Sequence, residues 1–194
     1  MRSQNLMCHS KYNRFNKKAS IMSSFFLTAL SLAPTTEKEL VDIQRNIFSL
    51  YKCPSALALP PVLPLFSSKN KPQEKIIKNI LHLDCSPFSF QRYGLHNSIL
   101  CAAIDISIQL PVPEENEIKT PLEQLPGFYL ADFSASSGLP REKQLQIQNL
   151  PQLPDSAVRT LRLLVIELNI SSDSSWWKET KWIVCFEDWI KLRR

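Results

Sequence analysis

Fourteen prolines and only three glycines constrain this 194-residue chain more than any other feature of its sequence. Proline removes a backbone hydrogen-bond donor and breaks helices, so short elements are expected rather than a long-helix bundle or a coiled coil. The glycines, Gly94, Gly127 and Gly138, form neither G-x-G-x-x-G nor G-x-x-x-x-G-K-[ST]. The glycine loops that cradle phosphates in Rossmann and P-loop folds are therefore absent from the sequence.

The first third of the chain predicts a strand followed by an amphipathic helix. Residues 25–32 are apolar enough for a core strand, and residues 36–51 carry apolar side chains at helical spacing. Thr36 and Glu39 have capping-box spacing, which predicts Thr36 as the N-cap, and Pro54 predicts that the helix ends before it. The apolar residues at helical spacing are Leu40, Ile43, Ile47 and Leu50.

The rest of the chain predicts short strands separated by polar or proline-rich loops. Residues 56–66 are apolar but contain three prolines, so they are predicted to form two short strand pieces at a sheet edge or rim. Short helices are predicted over residues 72–80 and 141–148. Because no long crossover helices alternate with the strands, the sequence predicts an α+β fold with mainly antiparallel sheets. The other predicted strands are 88–90, 98–108, 128–133, 160–170 and 181–186.

The positive net charge belongs to residues 1–21, which hold five basic residues and no acid. From Met22 onward, 18 basic residues balance 18 acidic ones, so the total charge gives no evidence of a basic face for nucleic acid. The sequence therefore predicts a disordered basic tail over residues 1–21, with Met22 as an alternative start, and a single domain over residues 22–194.

The cysteines and the first 33 residues indicate in which cellular compartment the protein is expected. The five cysteines are widely spaced, odd in number and without a C-x-x-C pair, which predicts free thiols in a reducing compartment and no zinc site. Basic residues followed by the apolar stretch 21–33 are similar to a secretory signal, but that stretch is too short to span a bilayer. We therefore expect a cytoplasmic protein without metal or cofactor; export through residues 1–33 is the alternative.

The predicted elements repeat weakly along the chain as two units, each a strand, a middle segment and a second strand. Two such units facing each other would place their last strands side by side at a cleft. The first unit comprises residues 25–32, 36–51 and 62–66, and the second comprises residues 98–108, 113–125 and 128–133.

Three segments occur in an order that resembles the two-histidine phosphoesterases, the superfamily of the 2′-5′ RNA ligases and cyclic phosphodiesterases. Residues 25–34, FFLTALSLAP, lead directly into the predicted helix. Residues 59–65, LPPVLPL, are similar to the family's P-P-H-x-T-L strand, and residues 163–168, LLVIEL, to its closing hairpin. The resemblance covers nearly all of the chain outside the tail. It implies two pseudo-symmetric β-α-β lobes with mainly antiparallel sheets around a central cleft.

The resemblance also implies which positions should carry the chemistry. In the family, two imidazoles act as acid and base on one phosphodiester, and a hydroxyl two residues later binds a phosphate oxygen. The matching positions are Val62 and Pro64 on the first motif strand and Phe128 and Leu130 on the second, with residues 105–107 as an alternative second motif. Because none of the four side chains can transfer a proton, the resemblance implies a protein that lacks both of the family's catalytic histidines.

The remaining reactive residues are minor candidates. His82, Asp84 and Cys85 are close in sequence, but on a strand Cys85 would point away from the other two, which makes a poor nucleophile–base pair. His96 and, on the second motif strand, Tyr129 complete the candidates. Late tryptophans such as Trp182 and Trp189 are predicted to cover the core.

Three functions follow from the sequence. The leading prediction is a non-catalytic module that binds a nucleotide or an RNA end. The alternative is an interaction or structural protein, exported or not, without a small-molecule site. The third is an active phosphoesterase that uses altered catalytic residues such as His82 or His96. The sequence predicts neither a metal nor a membrane span, and it leaves the oligomeric state open.

Overall fold

The computed structural model describes residues 22–82, 85–105, 120, 122, 125–134, 146–171 and 180–192. Within these ranges the predicted α+β class is confirmed. The strands are β1 (Met22–Leu32), β2 (Val62–Ser68), β3 (Phe90–His96), β4 (Ile99–Ile104), β5 (Gly127–Asp132), β6 (Thr160–Ser171) and β7 (Lys181–Lys191). The α-helices are α1 (Pro34–Tyr51) and α2 (Glu74–Leu81), and single 3₁₀ turns cover Pro54–Leu57 and Gln146–Asn149.

The strands form two antiparallel sheets. The first sheet has the order β2-β1-β6-β7 and the second has the order β3-β4-β5. Within each of the two sequence units, the first strand pairs with the last: β1 with β2, and β4 with β5. The middle segment of the second unit, residues 113–125, lies mostly outside the described residues, as do residues 1–21 and residues 106–108 of the predicted strand 98–108.

Helix α1 begins earlier than the capping-box pattern predicts. Its N-cap is Ala33, with φ −61° and ψ 149°, and Pro34 occupies the first helical turn, where its fixed φ is favourable and its missing donor costs nothing. The prediction that Thr36 caps the helix is therefore wrong. The helix ends as predicted before Pro54, with Lys52 in the left-handed region.

Both faces of β1 and β6 are buried, which explains why these strands read as continuous apolar runs. Successive side chains point to opposite faces of a strand, so each strand contributes to two core clusters. The larger cluster packs one face of the first sheet against α1, α2 and part of the second sheet. The smaller cluster covers the opposite face and contains Phe25, Leu27, Ala29, Leu164, Ile166 and Leu168.

The second sheet differs from the prediction at its first strand. Residue 88 forms only an isolated bridge with Val158, and β3 instead runs to His96. A two-residue turn joins β3 to β4 through Asn97 and Ser98, whose φ values of 47° and 70° match a type I′ hairpin. Hairpins of this kind are usually marked by glycine, so this turn gave no clear sequence signal.

Two further predictions concern helices. The short helix predicted over residues 72–80 is confirmed as α2. Of the helix predicted over residues 141–148, the described part is the single 3₁₀ turn that begins at Gln146. No helix in the described ranges is both long enough and apolar enough to cross a bilayer.

Candidate functional site

The four positions that correspond to the family's motifs are buried apolar side chains. Val62, Phe128 and Leu130 have no exposed surface, and Pro64 is buried. Val62 packs in the smaller core cluster, whereas Phe128 and Leu130 pack in the larger one. The β5 residue that shares a cluster with Val62 is Tyr129. The motif positions therefore belong to the core, and these side chains offer no proton donor or acceptor.

Pro64 lies where a proline is tolerated in a sheet. Strand β2 is at the edge of the first sheet, and its ladder with β1 shifts register between Thr28 and Ala29, next to the partner position of Pro64. An edge strand or a bulge is the usual place for a residue without an N–H group. The prediction that the proline-rich segment lies at a sheet edge is therefore confirmed for β2. The prediction of a second strand piece before it is wrong, because residues 56 and 57 belong to a 3₁₀ turn.

The outer edge of β5 is covered by polar groups from α1 and the turn that follows it. We call this contact the α1–β5 junction; it comprises Gln44, Cys53, Ser55, Tyr129 and Asp132. The Ser55 hydroxyl donates to the carbonyl oxygen of Asp132 at 2.8 Å and accepts from its backbone N–H at 2.8 Å. One side chain therefore satisfies both backbone groups of a residue on a strand edge, as a neighbouring strand would.

Gln44 extends the junction along β5. Its side-chain amide, which is buried, donates to the carbonyl oxygens of Leu59 at 3.0 Å, Leu130 at 3.4 Å and Tyr129 at 3.5 Å. Buried backbone carbonyls need such partners, because an unsatisfied one costs free energy. Gln44 therefore joins α1 to the second sheet.

Tyr129 and Cys53 are buried in the junction as neutral groups. The Tyr129 hydroxyl donates to the carbonyl oxygen of Ser55 at 2.8 Å, and burial raises its pKa well above the ordinary value. Burial also raises the pKa of the Cys53 thiol, although its hydrogen bond to Ser55 acts in the opposite direction. Both groups therefore stay protonated at neutral pH. A neutral tyrosine and a neutral thiol that bond to the chain do not form an acid–base pair for phosphodiester cleavage.

The minor candidates do not come together in one place. His82 is an exposed residue at the C-cap of α2, while His96 ends β3 and lies 3.2 Å from the Asn97 side-chain nitrogen. Cys85 is partly buried, and Asp84 lies outside the described residues. In the described part of the chain, no three His, Cys, Asp or Glu side chains are grouped to hold a metal ion.

A partly buried arginine, Arg162, connects the start of α1 to β1 and β7. The Arg162 Nε donates to the carbonyl oxygen of Leu32 at 2.9 Å, and its guanidinium also bonds to Glu37 and Glu187. Its guanidinium carbon lies 5.8 Å from the centre of the Trp189 ring. Since backbone and carboxylate groups engage the guanidinium, Arg162 has a structural role at this position.

An open groove of about 510 Å³ lies between β3 and the segment that follows the second 3₁₀ turn. Tyr93 lines the groove, and its hydroxyl joins the two walls by donating to the carbonyl oxygen of Pro151. The charged residues that line the groove are Arg92 and Asp155, and three glutamines also line it. Sequence reasoning did not find this groove because its two walls are far apart in sequence. The glutamines are Gln91, Gln148 and Gln152.

The last strand exposes an unusual amount of apolar surface. Trp182, Ile183, Val184 and Trp189 have 41%, 64%, 39% and 49% of their surface exposed, and together we call them the β7 surface. The prediction that Trp182 and Trp189 cover the core is therefore wrong. The reason is position: β7 is the outermost strand of its sheet, so fewer neighbours cover its side chains. The signal in the sequence was the apolar run Trp182–Phe186, which does not alternate with polar residues.

Comparison of the chain with protein-family models, with curated proteins and with solved structures finds no match.

Proposed function

We propose that this protein is a non-catalytic interaction module that binds another polypeptide through β7, on an α+β scaffold that resembles the two-histidine phosphoesterases. The observation that carries the proposal is the β7 surface. Four large apolar side chains on one strand are exposed to water, and tryptophan is among the residues that contribute most to binding free energy in protein interfaces. Exposed apolar patches rimmed by polar residues commonly mark interaction sites.

Most of the exposed apolar side chains of β7 lie on one face of the sheet. Its register with β6 places Trp182, Val184 and Trp189 opposite Leu168, Ile166 and Arg162, which lie on one face of the sheet. Trp182 and Val184 are neighbours on that face, and Glu187 lies between them and Trp189, so an apolar stripe with one charge in it runs beside an outer strand edge. An extended peptide that adds to the edge would gain backbone hydrogen bonds and place alternate side chains along the stripe.

The motif positions support the non-catalytic part of the proposal. Val62 packs in the smaller core cluster and Phe128 in the larger one, so the two positions to which the resemblance assigns the catalytic groups lie in separate clusters. A phosphodiester buried beside Val62 would need charged or hydrogen-bonding partners. The smaller cluster consists of apolar side chains around Tyr129, whose hydroxyl already donates to the carbonyl oxygen of Ser55. The alternative enzyme would have to use His82 or His96, which lie on separate elements.

Selection of displayed peptides against the immobilised full chain tests the proposed function. Extended peptides with alternating apolar residues should be enriched, and Ile183→Lys should weaken their affinity by about tenfold or more because it places a charge beside the apolar strand edge. Leu50→Lys is the matched control: Leu50 is a comparably exposed apolar residue, but it lies on α1. Failure to enrich any peptide, or binding that Ile183→Lys leaves unchanged, would contradict the proposal.

The groove beside β3 favours a second candidate function, which is binding of a nucleotide or an RNA end. Arg92 supplies a cation for a phosphate, the glutamine amides can bond to base edges, and Tyr93 offers a ring. Nucleoside 2′,3′-cyclic phosphates or short RNA at millimolar concentration should then raise the melting temperature. Arg92→Gln should abolish that shift, and Lys38→Gln, on the exposed side of α1, should not. A melting temperature that no ligand changes would remove this candidate.

A further inference from the structure

We infer that β7 pairs with β7 of a second copy of this chain, in an antiparallel arrangement about a two-fold axis that joins two four-stranded sheets into one. The inference rests on the proposed function, since it names the partner of the same surface. In the described part of the chain, β7 (Lys181–Lys191) forms a ladder with β6 alone. On its other side no strand pairs with it within the described residues, and the Trp189 N–H donates to the Asp188 carboxylate of the same strand at 2.8 Å. Such an edge is a template for another strand.

The other three sheet edges are each protected, and this contrast singles out β7. The edge at β2 contains Pro64, which lacks a donor. The edge at β5 is covered by the α1–β5 junction. The edge at β3 is approached by the segment after the second 3₁₀ turn, through the Phe88–Val158 bridge and the bond from Tyr93. Strand β7 has no proline, and its stretch Trp182–Phe186 has no charge.

The charges on β7 are complementary to those of a second copy in one register. The β6 pairing places Lys181, Ile183, Phe186 and Asp188 on the same face of the sheet, opposite Asn169, Glu167, Val165 and Leu163. A two-fold axis at the centre of this set brings Lys181 of each copy opposite Asp188 of the other. The same axis brings Ile183 of each copy opposite Phe186 of the other. One register therefore forms two ion pairs and two apolar pairs.

The opposite face is compatible with that register. The β6 pairing assigns Trp182 and Glu187 to this face, and the same axis places them opposite each other. The irregularity between Val165 and Ile166 shifts the alternation of β7 at Cys185, so residues on the two sides of Cys185 that this axis places opposite each other share a face. A register displaced by two residues would keep the faces but would separate Lys181 from Asp188, so the charges favour the register described.

A charge exchange measured by sedimentation velocity across the micromolar range tests this inference. The wild-type chain should form a dimer. Lys181→Asp and Asp188→Lys each place like charges opposite each other twice, and each should weaken the dimer by about tenfold. The double variant Lys181→Asp/Asp188→Lys should restore it. Lys191→Asp, the same change on the same strand but beyond the paired residues, is the matched control and should dimerise like the wild type.

The outcomes separate this inference from the proposed function. A wild-type chain that stays monomeric, single variants that dimerise normally, or a double variant without rescue would each overturn the self-pairing. If peptides selected on the chain still bind through Ile183 in that case, the interaction module stands without the dimer. Melting temperatures within a few degrees of the wild-type value establish that the variants are folded.

Discussion

Removing one hydroxyl group should weaken the connection between the two sheets. In the α1–β5 junction the Ser55 hydroxyl bonds to both backbone groups of Asp132, each at 2.8 Å, and Ser55 has no exposed surface. Ser55→Ala removes both of these bonds, and the 3.0 Å contact with the Cys53 sulfur, without adding volume. The buried Asp132 N–H then loses its 2.8 Å acceptor. The carbonyl oxygen keeps a longer contact of 3.5 Å with the Cys53 sulfur.

The magnitude follows from the cost of leaving buried backbone groups without partners. Each such group costs about 1–3 kcal/mol, so two groups, one of them partly compensated, should cost about 2–4 kcal/mol. For a domain of this size that loss corresponds to a decrease in melting temperature of roughly 4–16 °C. Urea denaturation followed by circular dichroism measures the free energy, and hydrogen exchange at the Asp132 amide reports the lost bond directly.

Ser24→Ala is the matched control, because it deletes the same hydroxyl from an exposed serine that donates to Glu167 at 3.2 Å. It should change the free energy of unfolding by less than about 0.5 kcal/mol. A Ser55→Ala chain that unfolds at the same urea concentration as the Ser24→Ala chain would refute the role assigned to the junction.

Two further predictions concern packing and pH. Gly127→Ala should prevent folding or cost more than about 3 kcal/mol, because an added Cβ would lie 2.0 Å from the carbonyl oxygen of Ala102. Gly94→Ala should be far milder in the same denaturation assay, because its Cβ would meet side-chain atoms alone, the Cys101 sulfur at 3.2 Å and the Ala103 Cβ at 3.6 Å. Burial raises the pKa of Cys101 from 9.0 to about 11 and that of Tyr93 from 10.0 to about 12. The unfolded chain therefore loses these protons first, so stability should be complete below about pH 9 and should fall as the pH rises towards 12. Tyr93→Phe should reduce the total alkaline loss of unfolding free energy by about 2–3 kcal/mol. An equal loss in the wild-type and Tyr93→Phe chains would contradict the raised pKa of Tyr93.

Most of the architecture was accessible from sequence because apolar periodicity reports which faces are buried. The strand at residues 25–32, the helix that follows it and the final two strands all appear, with ends shifted by a few residues. The start of α1 was misplaced because the capping pattern competes with Pro34, whose fixed backbone angle suits the first turn. A local sequence pattern does not show which of two competing helix-start signals prevails.

The chemistry of the motif strands was less accessible. The sequence shows that Val62 and Pro64 lack reactive groups, but not that the β5 partner of Val62 in the core is Tyr129 rather than Phe128. Which face of β5 meets β2 depends on the register between strands, and a shift of one residue exchanges the faces. The hydrogen bonds of Ser55 and Gln44 to β5 were not predicted. An isolated polar residue before or within an apolar run gives no sign that it will bond to a distant strand.

The ladder between β1 and β6 joins parts of the chain that are synthesised far apart in time. Ser24 on β1 contacts Glu167 on β6, 143 positions later. On the ribosome, the apolar side chains of β1 therefore lack their main neighbour until β6 has emerged. Contacts of such long range slow folding, and chains that expose strands during that delay are prone to aggregate. The first sheet consequently cannot be completed before β6 is synthesised, and a chain truncated before β6 should be recovered as insoluble material.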